Sequence, residues 1–285
     1  MPDPQLISQA VALVKTTDVA ILFIGSNREY ESEGSDRKNL ELPFGEQVLV
    51  DAVTEANPNT IIVAIGGAPY DLNKIKHTNH TILWSWFNGS EGGNALADVI
   101  TGKVNPSGKM PFTFPASLGD SPAFALHTFP GDSITANYKE GILVGYRWYD
   151  TKKIEPLYCF GYGLSYTNFD YSGLKTDKAV YGKADKIKIT LNLRNTGKVQ
   201  GKETVQIYLK KQNSAVDRAD KELKAFTKID VSPGQTSTVQ LAVSVSDLAY
   251  YKVQGHLWVV EPGKYQVLAG SSSRDIRAIK DIVIK

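Results

Sequence analysis

The sequence predicts an α/β three-layer sandwich with a partial, mostly parallel sheet, followed by an all-β sandwich. Three observations carry that prediction. Residues 1–102 alternate helix-period segments with nearly continuous apolar runs, the pattern of strands buried in an open parallel sheet. Residues 173–285 instead show short alternating runs separated by turn signals such as NTG, SPGQ and EPGK. The stretch between them is rich in Pro, Gly and aromatics and has little periodicity. The chain therefore divides into an α/β domain (1–115), a connecting region (116–172) and a β-sandwich (173–285).

Residues 5–15 (QLISQAVALVK) place apolar side chains at helical spacing, and DVAILFIG (18–25) reads as a strand buried on both faces. GEQVLVDAVTEA (45–56) is a second helix, NTIIVAIGG (59–67) a second buried strand, and HTILWSWFNG (80–89) a third. SEGGNALADVITG (90–102) opens on small and polar residues suited to an N-terminal cap and stops at Gly102. Helices alternating with buried strands in this way give a sheet sandwiched by helices. Three strands are few for such a domain, so the sheet is expected to be part of a larger one. In the last third, strands are expected at 186–197, 203–211, 222–232, 237–246, 256–260, 263–272 and 278–285. Seven short strands make an immunoglobulin-like sandwich, and the lack of a Cys…Trp…Cys pattern favours the fibronectin type III-like variant.

Composition narrows the function classes. The 285 residues carry 32 Lys and Arg against 30 Asp and Glu, a net charge of +2, which argues against a nucleic-acid binder. The single cysteine, Cys159, excludes an intrachain disulfide and sits between Tyr158 and Phe160 as a small hydrophobe. His77 and His80 lie three apart without a second ligand cluster, so no metal site or cofactor is expected. No run of 18 or more apolar residues occurs, so no membrane partner is expected. The start MPDPQLISQAV lacks the basic and apolar regions of a signal peptide, which leaves the compartment open. Neither IGSN (24–27) nor IGGAP (65–69) completes a dinucleotide or phosphate-binding motif, which argues against a nucleotide-binding protein.

The densest charge follows the first strand, in REYESEGSDRKNLELP (28–43). Glu29, Glu31 and Glu33 alternate there, with Asp36 and Arg37 close behind. A solvated loop is the plain reading. The sharper one is a catalytic acid, because open parallel sheets bind ligands beyond the carboxyl ends of their strands.

Four stretches in this order, ESEGSDRKNLELP (31–43), GGNALADVITGKVNPSGKMPFTFP (92–115), YKEGILVGYRWYD (138–150) and FGYGLSYTNFDYS (160–172), resemble the carboxyl-terminal half of glycoside hydrolase family 3. This is the β-glucosidase and β-xylosidase family, and the closing sandwich with SSSRDIR (271–277) resembles its fibronectin type III-like domain. The resemblance implies a retaining mechanism, in which an aspartate on an N-terminal (β/α)8 barrel attacks the anomeric carbon. A glutamate on the α/β sandwich then serves as acid and base. A retaining pair needs two carboxyls about 5–5.5 Å apart, one of them kept protonated by burial or a neighbouring charge. The family motif places the acid/base in the 26–43 loop shortly before the Asp-Arg pair, so Glu33 matches best and Glu31 is the runner-up. Glu29 reads as a solvated carboxylate. Arg37, Glu91, Tyr138 and Tyr146 stand as substrate-binding candidates. Against that, Arg37 could fix the loop by pairing with Asp36, and the tyrosines could supply packing area.

No barrel-like repeat lies within these residues, so the chain is expected to be a carboxyl-terminal portion of a β-glycosidase, or one part of a split enzyme. Its partners are then a β-linked oligosaccharide or aryl glycoside and an N-terminal barrel in cis or in trans. Surfaces that would face the barrel are expected to promote self-association. The alternative is a non-catalytic carbohydrate-binding or protein-interaction module derived from the same family.

Overall fold

The computed structural model describes residues 2–34, 37–76, 78, 80–131 and 134–285. They form two compact units, residues 1–101 with 114–118, and residues 102–113 with 119–285.

The first unit begins with α1 (Pro4–Val14), where the Asp3 carboxylate accepts from the Gln5 N–H (2.8 Å) and Pro4 starts the helix. Then follow β1 (Ala20–Gly25), α2 (Gln47–Ala56), β2 (Thr60–Ile65), the short α3 (Asn73–Lys76), β3 (Thr81–Trp84) and α4 (Gly92–Ile100). The strands form a parallel sheet in the order β1-β2-β3, with Leu22 opposite Ile62 and Val63 opposite Leu83. α1 and α2 pack on one another. Asn57, beyond the end of α2, donates to the carbonyls of Val14 and Thr17, and so ties the end of α1 to the entry of β2. The core comprises Ile24, Val50, Val53, Ile62, Val63, Tyr70, Leu72 and Phe114, each buried apolar side chain worth roughly 1.5–3 kcal/mol.

Two expectations are corrected here. The run 18–25 is not buried on both faces: Ala20 and Ile24 are, whereas Val19, Ile21 and Phe23 are about half exposed. The cause is position, since β1 is one of the two edge strands of the described sheet and only its alternate face is packed. The third strand is also shorter than its apolar run, because Trp86 takes a left-handed φ of 58° and ends the extended backbone at Trp84.

The second unit carries two short helices, α5 (Pro122–Ala125) and α6 (Tyr146–Lys152), ahead of β4 (Phe169–Thr176) and β5 (Val180–Tyr181). Next come β6 (Lys186–Asn195), β7 (Gly201–Lys211), β8 (Glu222–Val231) and β9 (Thr236–Ser244). The chain closes with β10 (Tyr250–Lys252), β11 (Leu257–Val259), β12 (Gly263–Gly270) and β13 (Ile276–Ile284). A five-stranded sheet, β5-β13-β12-β7-β8, and a three-stranded sheet, β4-β6-β9, enclose one core, while β10 and β11 form a hairpin of their own. On β6, Ile187, Ile189, Leu191 and Leu193 face inward and Lys186, Lys188 and Arg194 outward, the clean alternation of a half-buried strand.

The outer side of the five-stranded sheet explains the aromatic density of the connecting region. Tyr146 on α6 stacks on Phe160 (centroids 4.9 Å apart) and meets Tyr208 of β7 edge-on, and its hydroxyl accepts from the Leu223 N–H (2.8 Å). Arg274 latches the segment, donating to Asp150 (2.8 Å), to Glu155 and to the carbonyls of Tyr149 and Ile154. Lys221 pairs with the other oxygen of Asp150 at 2.8 Å. The segment thus covers side chains on β7 that the sandwich core does not reach.

Candidate active site

The loop after β1 starts under restraint from outside the loop itself. The Gly25 N–H donates to Glu46 Oε2 (2.8 Å), and the Ser26 N–H lies 3.1 Å from the Tyr70 hydroxyl. Burial pushes the Glu46 carboxyl above the ordinary glutamate range, and the Gly25 N–H offsets this in part. Asn27 then builds one turn: its side-chain oxygen accepts from the Glu29 and Tyr30 N–H groups, and its carbonyl from Glu31 N–H (2.9 Å). That turn points the Glu31 side chain back toward the sheet.

Glu31 is held on three sides. Its Oε2 accepts from the Gly67 N–H (2.8 Å), while Oε1 accepts from Arg37 Nη1 (3.2 Å) and lies 3.2 Å from the Tyr70 hydroxyl, whose one proton it shares with the Ile65 carbonyl at 3.0 Å. The two side chains of the ion pair are only 13% and 15% exposed. Arg37 also donates to the carbonyls of Ala68 and Pro69 and lies over the Tyr70 ring, 4.8 Å from its centroid. Burial first, then the carboxylate of Glu31, raises the Tyr70 phenol to about 12, so it stays protonated as a donor. A side chain at Gly67 would press on Glu31 Oε2 at 3.2 Å and on the Phe87 ring at 3.3 Å, so glycine lets the backbone approach this carboxylate.

Glu33 differs. It is exposed, and no described residue pairs with it. Gly34 follows at φ +78°, a left-handed conformation that turns the chain away directly after Glu33. Asp36, the expected partner of Arg37, lies outside the described residues, as does His77. Among the described residues no cluster of His, Cys, Asp or Glu could hold a metal ion, and no helix is long and apolar enough to cross a membrane.

The other sequence candidates fall elsewhere. Glu91 precedes α4 and accepts from Asn94 (2.6 Å). Tyr138 is 80% exposed in the connecting region, and Tyr146 is engaged in the packing against Phe160 and Tyr208. The structure therefore brings Glu31 and Arg37 together, with Glu33 on the same loop. Sequence reasoning missed Tyr70 and Glu46, which restrain the loop across 44 and 21 residues of chain. The only local signal was the run GGAPY that closes the loop after β2.

Residues 2–166 match the glycosyl hydrolase family 3 C-terminal domain, and residues 203–273 the fibronectin type III-like domain. The chain belongs to glycosyl hydrolase family 3. It is 43% identical over 274 residues to thermostable β-glucosidase B of Acetivibrio thermocellus, covering 96% of this chain and 36% of that protein. A β-glucosidase of Bacteroides ovatus is 41% identical over 274 residues, covering 95% of this chain and 36% of that protein. The fold is that of the crystal structure of Kluyveromyces marxianus β-glucosidase in complex with glucose. There the TM-score is 0.94 at 39% identity, over 100% of this chain and 34% of that one. The Bifidobacterium adolescentis family 3 β-glucosidase gives the same TM-score at 37% identity, over 100% of this chain and 41% of that one. This chain thus spans little more than a third of the length of these relatives, and over that length it is an α/β sandwich followed by a fibronectin type III-like domain.

Proposed function

We propose that this chain supplies the acid/base half of a retaining β-glucosidase site, with Glu33 as the proton donor and then the base. The observation that carries this reading is the contrast between two glutamates on one loop. Glu31 has its carboxylate committed to Gly67, Tyr70 and Arg37, whereas Glu33 is exposed and has no partner among the described residues. A general acid must reach the glycosidic oxygen, and a carboxylate locked into an ion pair cannot do so without releasing the loop.

In the proposed reaction a nucleophilic carboxylate on a (β/α)8 barrel, joined in cis or in trans, attacks the anomeric carbon as Glu33 protonates the departing oxygen. Glu33 then takes a proton from the water that hydrolyses the glycosyl-enzyme. Arg37 acts on the loop and not on the sugar. Glu91, Tyr138 and Tyr146 are assigned no step. The substrate is a β-glucoside, aryl or oligosaccharide, in keeping with the β-glucosidases to which the chain is similar.

The test compares hydrolysis of 4-nitrophenyl β-D-glucoside by this chain alone and by the chain joined to a family barrel. Turnover is expected only with the barrel, because the covalent step needs its nucleophile. Turnover by the chain alone, abolished in Glu33→Gln, would place a second working carboxylate within these residues and overturn the division of labour.

A further inference from the structure

We propose that the β10–β11 hairpin is a second carbohydrate site, binding the pyranose rings of a neutral β-glucan on the faces of Trp258 and Tyr251. The two residues stand directly opposite one another across the hairpin, with ring centroids 5.4 Å apart and planes at 62°. Trp258 is 71% exposed, and Val253, at the end of the same strip, is exposed as well. The neighbouring pair Tyr250 and Val259 lies on the other side of the hairpin and is partly buried. The hairpin is hydrogen-bonded to neither sandwich sheet, so it holds its aromatic side away from the framework.

Single exposed apolar residues need no explanation, but here two aromatic rings adjoin one another with a hydroxyl and an imidazole at their rim. A pyranose has an apolar C–H face and a rim of hydroxyls. An indole face suits the first. The Tyr251 hydroxyl, set 3.0 Å from His256 Nδ1, offers hydrogen-bonding groups for the second.

Charge and size choose among the occupants. Residues 173–285 carry 20 Lys and Arg against 11 Asp and Glu, yet residues 248–260 contain Lys252 as their single charged side chain. Lys252 pairs with Leu257, on the opposite side from Trp258. The strip therefore has neither the cations that would hold an anionic polymer nor the carboxylates that would hold a cationic one. Tyr251, Val253, His256 and Trp258 also make too small a patch for a protein partner, since a stable interface needs about 800 Å² per side. A sugar ring fits the area. The site requires neither Glu33 nor a barrel, so it stands apart from the proposed catalytic role.

Native affinity electrophoresis of the whole chain in gels containing barley β-glucan tests this, with carboxymethylcellulose as the anionic comparison. The wild type is expected to be retarded by the neutral glucan. Trp258→Ala should lose about tenfold in affinity, while Trp258→Phe keeps most of it. Unchanged circular dichroism and melting would confirm that Trp258→Ala still folds. The proposal is overturned by no retardation of the wild type, equal retardation of Trp258→Ala, retardation by carboxymethylcellulose alone, or loss of retardation in Glu33→Gln. A dimer in sedimentation that Trp258→Ala abolishes would reassign the strip to self-contact and also overturn it.

Discussion

Replacing Glu31 and Glu33 by alanine, one at a time, should separate the two glutamates by stability. Removing the Glu31 carboxylate leaves the Gly67 N–H and a largely buried Arg37 guanidinium without their shared acceptor, while the Tyr70 hydroxyl keeps the Ile65 carbonyl at 3.0 Å. Hydrogen bonds involving a charged partner contribute about 1.5–3 kcal/mol each, and breaking a fully buried ion pair costs about 3–5 kcal/mol. Arg37 keeps the carbonyls of Ala68 and Pro69, and residual exposure screens the pair. A loss of about 3 kcal/mol follows for Glu31→Ala. With urea slopes of about 1–3 kcal/mol/M, the first unit's midpoint should fall by roughly 1–3 M. Glu33→Ala removes an exposed side chain with no described partner and should leave the midpoint where it was. Urea titration followed by tryptophan fluorescence provides the assay, with Trp84 and Trp86 reporting the first unit and Trp148 and Trp258 the second. Equal destabilisation by the two variants, or none from Glu31→Ala, would refute the assignment of Glu31 to the clamp.

Three further outcomes follow from the geometry. Glu46 has a folded-state pKa raised by burial, so its ionisation destabilises the fold as pH rises from about 4.5 through the raised value. Glu46→Gln keeps an acceptor for the Gly25 N–H, so its melting temperature should gain on the wild type between pH 4 and pH 7; a pH-independent difference would contradict this. Arg274→Ala leaves Asp150, 4% exposed, with Lys221 as its remaining cation and strips donors from the carbonyls of Tyr149 and Ile154. A loss of about 2–4 kcal/mol is expected, with faster amide exchange across 146–160 and only partial rescue by lysine, which lacks the planar fork. The half-exposed Val19, Ile21 and Phe23 on the edge strand should drive self-association of the isolated chain, and a strictly monomeric species in concentration-dependent sedimentation would count against it.

Much of this architecture could be read locally. The helix-period and apolar runs of the first hundred residues located α1, β1, α2, β2 and α4, although only α2 and the two strands fully bury side chains, while α1 and α4 keep partly covered stripes. β4 went unrecognised within the connecting region, since Ser172 and Gly173 break its alternation and a register shift separates Ser172 from Lys175. α6 was equally hidden, because Tyr146, Trp148 and Tyr149 owe their burial to the sandwich and not to a helical stripe. At the site, the carboxylate cluster itself was visible in the sequence. The family resemblance ranked Glu33 above Glu31, but the physical difference between them was not legible, because it depends on Gly67 and Tyr70, which come from the loop after a different strand.

Azide rescue asks whether the proposed acid/base residue, Glu33, moves the proton. The chain joined to a family barrel, carrying Glu33→Ala, would be assayed on 2,4-dinitrophenyl and methyl β-D-glucosides with and without sodium azide. An acid/base role requires that the activated substrate, whose leaving group needs no proton, still glycosylates the enzyme while the methyl glucoside scarcely reacts. Azide should then restore turnover and yield β-glucosyl azide, because it attacks the intermediate without a general base. Equal losses on both substrates with no azide product, or that signature from Glu31→Ala and not from Glu33→Ala, would contradict the account.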